Sequence, residues 1–339
     1  MKLVIRVALD VMGGDHAPKQ IIAGGLLALT ELADLHIHFV GPQAVLENYL
    51  RDKVYDQNRV ALMPAEEIIK NEDSPVLAVR RKKNSSMMVA LQMLRDKKVE
   101  AMVSAGNTGA LMAGSLLLTG RIEGIERPAL TVVAPTFPGG NVVLLDVGAN
   151  MDAKAEQLLQ YGIMGKIYAR EVLLKKEPRV GLLNVGVEEI KGNEQVKKAY
   201  QLMKEKLPCF IGNVEARNVL DGVADVIICD GFSGNIILKT LEGLVAGLFG
   251  SLKEAMSANL KSKIAASLLK PELLALKAKL DYTEYGGAPF LGVGGACIKG
   301  HGSSNARAIR SAIVNQAYLY ARQNVNGLIE QELAALLTD

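Results

Sequence analysis

Short segments that mix glycine with small polar residues recur along the chain, and each directly follows an apolar run. Residues 10–16 read DVMGGDH, residues 104–109 read SAGNTG, residues 146–150 read DVGAN and residues 230–235 read DGFSGN, while a fifth segment begins at Asn184. Such turns present backbone N–H groups and short hydroxyl or amide side chains at a helix start, which suits an anion such as phosphate. Glycine turns also simply join strands to helices, but five segments that share the same small polar residue types favour an anion-binding cleft.

The familiar nucleotide, nucleophile and metal motifs do not explain these segments. No G-x-G-x-x-G occurs, so a Rossmann dinucleotide site has no support. Residues 295–300 have the glycine spacing of a P-loop, but His301 stands in place of its lysine, and residues 231–234 are one position out of register for a nucleophile elbow. His36 and His38 alternate on one strand face, as packing or surface residues do, and no Cys/His ligand set is present. We therefore expect neither a metal nor a cofactor.

Composition excludes several classes of protein. The 339 residues carry a net charge of +3, and aromatic residues make up 4% with no Trp, which disfavours nucleic-acid binding. The three cysteines are far apart and form no C-x-x-C pair, as in a reduced cytosolic protein. The first apolar run is too short and too charged for a signal peptide, and no uncharged run reaches membrane-spanning length. The expected location is the cytoplasm.

Short β-rich runs alternate with helical stretches, which predicts a doubly wound, mostly parallel α/β fold. The predicted strands are 3–9, 37–40, 60–63, 101–104, 130–134, 142–145, 180–183, 209–212 and 226–229. The predicted helices are 19–32, 76–94, 108–118, 153–174, 194–206, 235–256 and 305–323. In a parallel sheet the glycine-rich turns would all lie at the carboxyl edge, where ligands bind. We expect one catalytic unit over residues 1–339, with two subdomains around a cleft as one possible arrangement.

Taken together, the motifs resemble a known family. Residues 9–16, 104–109, 145–150, 230–235 and 301–305 closely resemble the bacterial phosphate acyltransferase family of phospholipid synthesis. The resemblance extends over essentially the whole chain, and these motifs show no departure from the family pattern. It implies a fold similar to isopropylmalate dehydrogenase and phosphotransacetylase, a homodimer and no cofactor.

The same resemblance implies a reaction and its partners. An acyl group passes from acyl–acyl carrier protein to inorganic phosphate, and a membrane-bound acyltransferase then transfers it from the acyl phosphate to glycerol 3-phosphate. Phosphate is already a nucleophile and a thioester is already activated, so the protein must align them, stabilise the oxyanion and assist the departing thiolate. No enzyme nucleophile is required.

The polar residues of the motifs become the candidate site. The predicted catalytic residues are His16, Asn107, Lys239 and His301. The predicted phosphate- and acyl-binding residues are Gly13, Gly14, Asp15, Ser104, Gly106, Thr108, Asn150, Asn184, Lys191, Ser233, Asn235, Ser303 and Asn305. Asn and Thr also cap helices routinely, histidines often bond loop carbonyls, and either lysine could be a solvated surface residue.

A dense basic run, Arg80, Arg81, Lys82 and Lys83, is the predicted docking surface for the acidic carrier protein. A charged helix face without a partner explains the same residues equally well. Because a helix start is predicted just before the run, these cations should project in several directions.

The segment 241–285 is predicted to form a projecting helical arm. Apolar residues recur there every four positions from Leu244 to Leu268, and this row must wind around a 3.6-residue helix. The predicted membrane-contacting residues are Leu260, Lys261, Lys263, Ile264, Leu268 and Leu269. An apolar tip ringed by lysines suits an anionic membrane surface, whereas helix-pair dimerisation would need the apolar residues alone. The chain is therefore expected at the inner face of the cell membrane, peripherally bound.

Three other functions stay open at this point. A phosphotransacetylase-like enzyme would use acyl-CoA in place of the carrier protein, and a non-catalytic scaffold would recruit lipid enzymes to the membrane. A hydride-transfer enzyme of the same fold is possible from the fold alone, but no nicotinamide motif supports it.

Overall fold

The computed structural model describes residues 4–280 and 286–338, so residues 281–285 of the predicted arm and the extreme termini lie outside it. Each of the nine predicted strands is found, and two further strands close to the carboxyl terminus were not predicted. The strands are β1 (Ile5–Asp10), β2 (Leu35–Gly41), β3 (Val60–Pro64), β4 (Ala101–Ser104), β5 (Ala129–Pro135), β6 (Asn141–Leu145), β7 (Val180–Asn184), β8 (Phe210–Glu215), β9 (Val226–Ile228), β10 (Ala288–Leu291) and β11 (Ala296–Lys299).

The predicted helices are found, two of them divided, and the helices at 43–50 and 325–338 were not predicted. They are α1 (Lys19–Glu31), α2 (Gln43–Leu50), α3 (Pro75–Arg81), α4 (Ser86–Arg95), α5 (Thr108–Leu118), α6 (Ala155–Glu171), α7 (Glu194–Lys206), α8 (Gly231–Ser257), α9 (Leu260–Leu280), α10 (Ala306–Ser311), α11 (Leu319–Arg322) and α12 (Val325–Thr338), with a π-helical segment over Ala312–Tyr318. The single helix predicted over 76–94 is wrong. It is two helices, because Ser85 caps a new start by accepting from the Met88 N–H.

The strands form one sheet with the order β3-β2-β1-β4-β11-β10-β5-β6-β9-β7-β8. Strands β3, β2, β1, β4 and β11 run parallel to one another, and so do β6, β9, β7 and β8. Between these halves the pairings of β11 with β10, β10 with β5, and β5 with β6 are antiparallel. The two parallel halves therefore run in opposite directions, and the expectation of one common carboxyl edge is wrong.

The short strand β10 nevertheless brings the two carboxyl edges together. Its first residue, Ala288, pairs with Lys299 at the end of β11, and Phe290 pairs with Leu130 near the start of β5. The chain that leaves β6 meets β5 at the same place, since the Val147 N–H donates to the Leu130 carbonyl at 3.0 Å. Two residues of strand span roughly 7 Å. The loops that follow β11 and β6 therefore border the same cleft.

Helices cover both faces of the sheet. The largest apolar core extends along the sheet from Val7 and Leu9 of β1 to Tyr161 and Tyr168 of α6. Alternate residues point to the other face, where Ala8 joins the core under α4 and α5. A third core lies under α8, on β5, β6 and β9. This is the expected α/β architecture.

The start of α8 is fixed by close backbone packing. A Cβ atom added to Gly234 would lie 1.9 Å from the carbonyl oxygen of Asp146, and one added to Gly231 would lie 2.8 Å from the Asn150 carbonyl oxygen. The Gly231 N–H also donates to that Asn150 carbonyl at 2.9 Å. Only glycine permits this approach, so the first turn of α8 is seated against the 146–150 loop.

Beyond its first turns α8 leaves the sheet and contacts α9, so that the two helices form the arm. Leu244 and Leu248 are exposed, whereas Leu252 and Met256 are half-buried, as a row that winds around the helix requires. By length and composition α8 could cross a membrane, with a mean hydropathy of 1.3 over its most apolar window. The first turn of α8, however, is packed against the 146–150 loop.

Replacing Gly234 by alanine should dislodge the start of α8, because the added methyl group overlaps the Asp146 carbonyl. We expect the free energy of unfolding to fall by about 1–3 kcal/mol. Gly243→Ala is the matched control, since a Cβ there meets nothing within 4 Å. That variant should gain up to about 1 kcal/mol, because alanine favours helix. Urea unfolding measures both, and equal effects would contradict the packing described.

Candidate active site

A cavity of about 320 Å³ opens where the two halves of the sheet meet. Its lining combines polar side chains with apolar side chains of β5, the 146–150 loop and α8. The residues lining it include Thr108, Leu130, Val132, Val147, Gly148, Asn235, Leu238, Lys239, Glu242, Ala288, Lys299, Gly300, His301 and Ser304. The cavity thus combines four of the predicted site residues, namely Thr108, Asn235, Lys239 and His301.

Three neighbouring strands end in polar residues on the same face of the sheet. Ser104 of β4 pairs with Lys299 of β11, and β1 is in register with β4 on its other side, which places Asp10 next to Ser104. The Ser104 hydroxyl donates to Asp10 Oδ2 at 2.6 Å, and the Ser86 hydroxyl donates to Oδ1 at 2.5 Å. Ser104 therefore supports the floor of the site, and all three strand-end side chains are buried.

Burial shifts the protonation of two of these groups. It raises the pKa of Asp10, and the hydrogen bonds from Ser104 and Ser86 oppose this rise. It lowers the pKa of Lys299 to about 8, although Asp10 and Asp15 favour its charged form. The Lys299 ammonium group donates to the carbonyl oxygens of Ala105, at 3.3 Å, and Gly300. At neutral pH this buried lysine is mainly a cation.

The loop after β6 is organised by one buried carboxylate. Asp146 Oδ1 accepts from the N–H groups of Leu130, Gly148 and Ala149, and Oδ2 accepts from Ala149 and Asn150 at 3.1 and 2.6 Å. Burial raises the pKa of Asp146, while these backbone donors lower it. The loop is thereby held rigid beside the cleft, and a Cβ on Gly148 would lie 3.8 Å from Asn235 Cγ.

Helix α8 contributes the opposite wall. Asp230 caps its start by accepting from the backbone N–H and the hydroxyl of Ser233, at 2.8 and 2.9 Å. Asn235, Leu238, Lys239 and Glu242 follow on one face and line the cavity. Lys239 pairs with Glu242 at 2.8 Å, and its side chain is 60% exposed.

The loops that carry the two predicted catalytic histidines are in contact. His301 lines the cavity, with Nδ1 2.8 Å from the Ser303 hydroxyl. The Asp15 N–H donates to the Gly302 carbonyl at 2.8 Å, and this bond joins the 10–16 loop to the 301–305 loop. His16 is exposed on the first of these loops and is not among the residues that line the cavity.

Several predicted site residues have side chains engaged in local structure. Asn107 caps α5, with Oδ1 accepting from the Ala110 N–H, and its Nδ2 donates to the Asn71 carbonyl at 3.0 Å. Asn150 donates to Gln157 and Tyr161. Asn305 caps α10. These contacts shape the walls of the cleft, while Gly13, Gly14 and Gly106 permit its tight turns.

Asn184, Ser233 and Lys191 lie apart from this cleft. Asn184 donates to the Lys191 carbonyl at 3.1 Å, and Lys191 itself is exposed. Asn184 and Ser233 line a second, largely apolar cavity of about 300 Å³ on the other side of the first turn of α8. The structure therefore separates these three from Thr108 and His301.

Lys299 and Glu242 are the functional candidates that the sequence motifs did not indicate. Lys299 ends a strand that was not predicted, and an isolated lysine there was indistinguishable from a surface residue. Its position between the apolar run 296–298 and Gly300, at the carboxyl end of a buried strand, is the signal that could have found it.

The described residues contain no candidate metal cluster, and two of the three cysteines are buried. No group of three His, Cys, Asp or Glu side chains within residues 4–280 and 286–338 could hold a metal ion. Burial raises the pKa of Cys297 to about 12 and raises that of Cys229 as well. Protonated, buried thiols are poor nucleophiles.

Comparison with known proteins defines the family. A family model described as fatty acid synthesis protein matches residues 5–327. A phosphate acyltransferase of Brevibacillus brevis is 50% identical over 329 residues, which cover 97% of each chain. A phosphate acyltransferase of Bacillus thuringiensis is 48% identical over 331 residues, which cover 97% of this chain and 99% of the relative. The chain belongs to the phosphate acyltransferase family. It is an acyltransferase that transfers acyl groups to phosphate for lipid synthesis.

The fold comparison agrees with the predicted architecture. A phosphotransacetylase from Streptococcus pyogenes superimposes with a TM-score of 0.62 at 14% identity, over 96% of this chain and 95% of that one. A branched-chain phosphotransacylase from Enterococcus faecalis gives 0.58 at 11% identity, over 95% and 99%. At this identity the likeness shows the fold, which confirms the phosphotransacetylase-like α/β class.

Asp146→Asn should weaken the cleft, because the amide NH₂ group would face backbone N–H donors. We expect a loss of about 1–3 kcal/mol in unfolding free energy and lower acyl transfer. Thermal unfolding and acyl phosphate formation measure the two effects. Asp152→Asn is the control, since Asp152 is exposed in the same segment. If the two variants behave alike, Asp146 does not organise the loop.

Proposed function

We propose that this acyltransferase takes its acyl group from acyl–acyl carrier protein and that phosphate attacks the thioester directly. The observation that carries the proposal is a cavity whose lining combines polar and apolar side chains. Thr108, Lys299 and His301 are polar, while Leu130, Val132 and Leu238 are apolar. A fatty acyl thioester needs both, since it has a polar carbonyl at the end of an apolar chain.

The polar residues that line the cavity include the donors that the reaction needs. Helix α5 begins at Thr108, so one positive helix end faces the cavity. A phosphate oxygen would attack the carbonyl carbon, the carbon–sulfur bond would break, and the leaving thiolate would take up a proton. His301 is the cavity histidine that could supply this proton. Lys239 and Asn235 approach from the opposite wall.

A basic surface lies within reach of this cleft. Arg80 and Lys83 border an apolar hollow of about 410 Å³ with Arg95, at the end of α5 remote from Thr108. Ten residues of helix separate Thr108 from Leu118, which is roughly 15 Å. This distance suits the extended pantetheine arm of a carrier protein docked on the basic surface. Lys82 instead pairs with Asp73 at 2.5 Å. The basic surface proposed for docking therefore consists of Arg80, Arg81 and Lys83.

The donor is tested by comparing acyl–acyl carrier protein with acyl-CoA. Phosphate-dependent release of thiol, with recovery of acyl phosphate, should be much faster with the carrier protein. Turnover with acyl-CoA alone would favour the phosphotransacetylase-like alternative. The absence of turnover with either donor, in protein shown to be folded, would favour the non-catalytic scaffold.

Reversing the basic surface should weaken docking without altering the cleft. We expect the double variant Arg80→Glu, Lys83→Glu to raise KM for the carrier-protein substrate about tenfold, since two attractive charges become repulsive. The double variant Lys197→Glu, Lys198→Glu changes the net charge equally on exposed positions of α7. It should leave KM unchanged, and equal rises in both variants would show that only net charge matters.

The arm is proposed to meet an anionic membrane and a second copy of the chain. Leu260, Ile264 and Leu268 are exposed on α9, with Leu268 at 76%, and Lys261 and Lys263 are exposed beside them. Leu244 and Leu248 are exposed on α8 and suit packing against the partner subunit of a homodimer. Peripheral binding would leave the protein in the cytoplasm at the inner face of the membrane, near the acyltransferase that uses its product.

Leu268→Glu should reduce binding to vesicles that contain anionic lipid, because a carboxylate cannot enter the apolar boundary of the bilayer. Ser267→Glu adds the same charge at the preceding residue and should reduce vesicle binding much less. Sedimentation with vesicles measures binding, and turnover of soluble substrate should persist in both. Equal binding by the two variants would count against membrane contact through this face.

A further inference from the structure

We infer that the Lys299 ammonium group is the fixed cation that binds inorganic phosphate in this cleft. The inference rests on the proposed phosphate acyltransfer and assigns its anion site to a particular strand end. It starts from a lysine that is only 9% exposed, lines the cavity and donates to two backbone carbonyls.

The backbone fixes the place of Lys299. Its strand β11 pairs with β4 through Cys297 and Met102, then Lys299 and Ser104, so the side chain leaves the sheet on the same face as Ser104. The two carbonyl bonds to Ala105 and Gly300 then hold the ammonium group at the mouth of the β4–α5 turn. Helix α5 starts three residues beyond Ala105, at Thr108, which also lines the cavity.

The hydrogen-bonding capacity of Lys299 suits an anion. An ammonium group has three N–H donors, and the two carbonyls occupy two of them. Neutral carbonyls orient the group but do not neutralise it, and the carboxyl groups of Asp10 and Asp15 favour its charged form through electrostatic attraction. An anion bonded directly to this buried cation would stabilise it further. A phosphate in the adjoining cavity would supply one.

Lys239 is the competing cation. It lies on the other wall and is 60% exposed. Its charge is therefore solvated, and it is also paired with the Glu242 carboxylate. A desolvated and oriented cation contributes more to anion binding than a solvated, flexible one. Lys299 should therefore dominate phosphate affinity, while Lys239 contributes less.

The anion could belong either to inorganic phosphate or to the phosphodiester of a pantetheine donor, and kinetics separate the two. We expect Lys299→Met to raise KM for phosphate about 10- to 100-fold, with KM for the acyl donor nearly unchanged. Lys197→Met, exposed on α7, is the control for loss of one positive charge. A rise confined to the donor KM would overturn the assignment, and so would a larger phosphate effect in Lys239→Met.

Phosphate binding without turnover keeps this test separate from that of the proposed function. Inorganic phosphate should raise the Tm of the wild type and of the Lys197→Met variant but not that of Lys299→Met. If the wild type is stabilised in this way yet forms no acyl phosphate, the function fails and the site stands. Stabilisation of folded Lys299→Met equal to the wild type would refute the site.

A second variant serves if Lys299→Met does not fold. Lys299→Arg keeps the charge, and arginine stays protonated at every accessible pH. The other titratable groups around the cavity are Asp10, Asp15, Cys297, His301, Lys239 and Glu242. All of these are shared by the wild type and this variant, so their contributions to the pH profile are common to both.

The two profiles should therefore diverge above about pH 8, where a lysine with a pKa of about 8 loses its proton. KM for phosphate should climb with pH in the wild type and stay flatter in Lys299→Arg. Parallel profiles would contradict a role for the Lys299 charge. A merely structural lysine would alter stability without changing the pH dependence of phosphate binding.

Discussion

The antiparallel join at the centre of the sheet is the constraint on which the site depends. Two parallel half-sheets that run in opposite directions would ordinarily place their carboxyl ends at opposite edges. Because Ala288 pairs with Lys299 and Phe290 pairs with Leu130, the four-residue strand β10 offsets the halves along the strand direction. The loops after β4 and β11 then face the loop after β6 across one cleft.

Charge burial in this cleft is supported by backbone and hydroxyl partners. Asp146 receives its hydrogen bonds from main-chain N–H groups, Asp10 receives two from serines, and Lys299 donates to carbonyl oxygens. Polar groups held in this way are already oriented before a substrate enters, so the free-energy cost of reorienting them during the reaction is small. The proposed reaction of phosphate with a thioester needs alignment and charge stabilisation rather than a covalent catalyst, and this arrangement would supply both.

Local sequence patterns predicted most of this architecture but not its central join. Apolar runs and glycine turns identified nine strands and placed Thr108, Asn235 and His301 near ligand-binding loops. They missed β10 and β11 because Pro289 stands in one of these short strands and three glycines lie between them. Strand direction depends on pairing between distant segments, which local periodicity does not encode.

The same limit explains why the role of single polar residues was hard to read. Asn107 has the residue type of an oxyanion donor, yet its amide caps α5 and ties down the loop at Asn71. Lys299 has the residue type of a surface cation, yet it is buried. Residue type and loop position are known from sequence, whereas hydrogen-bond partners are set by tertiary packing.

Helix α8 connects the chemistry to the arm. Its first turn is seated on the 146–150 loop, its next turns carry Asn235 and Lys239, and the remainder runs out to α9. Helix α8 therefore joins the arm to the wall of the cleft that carries Lys239. Lys299, the proposed phosphate-binding cation, belongs instead to the sheet, where its strand pairs with β4.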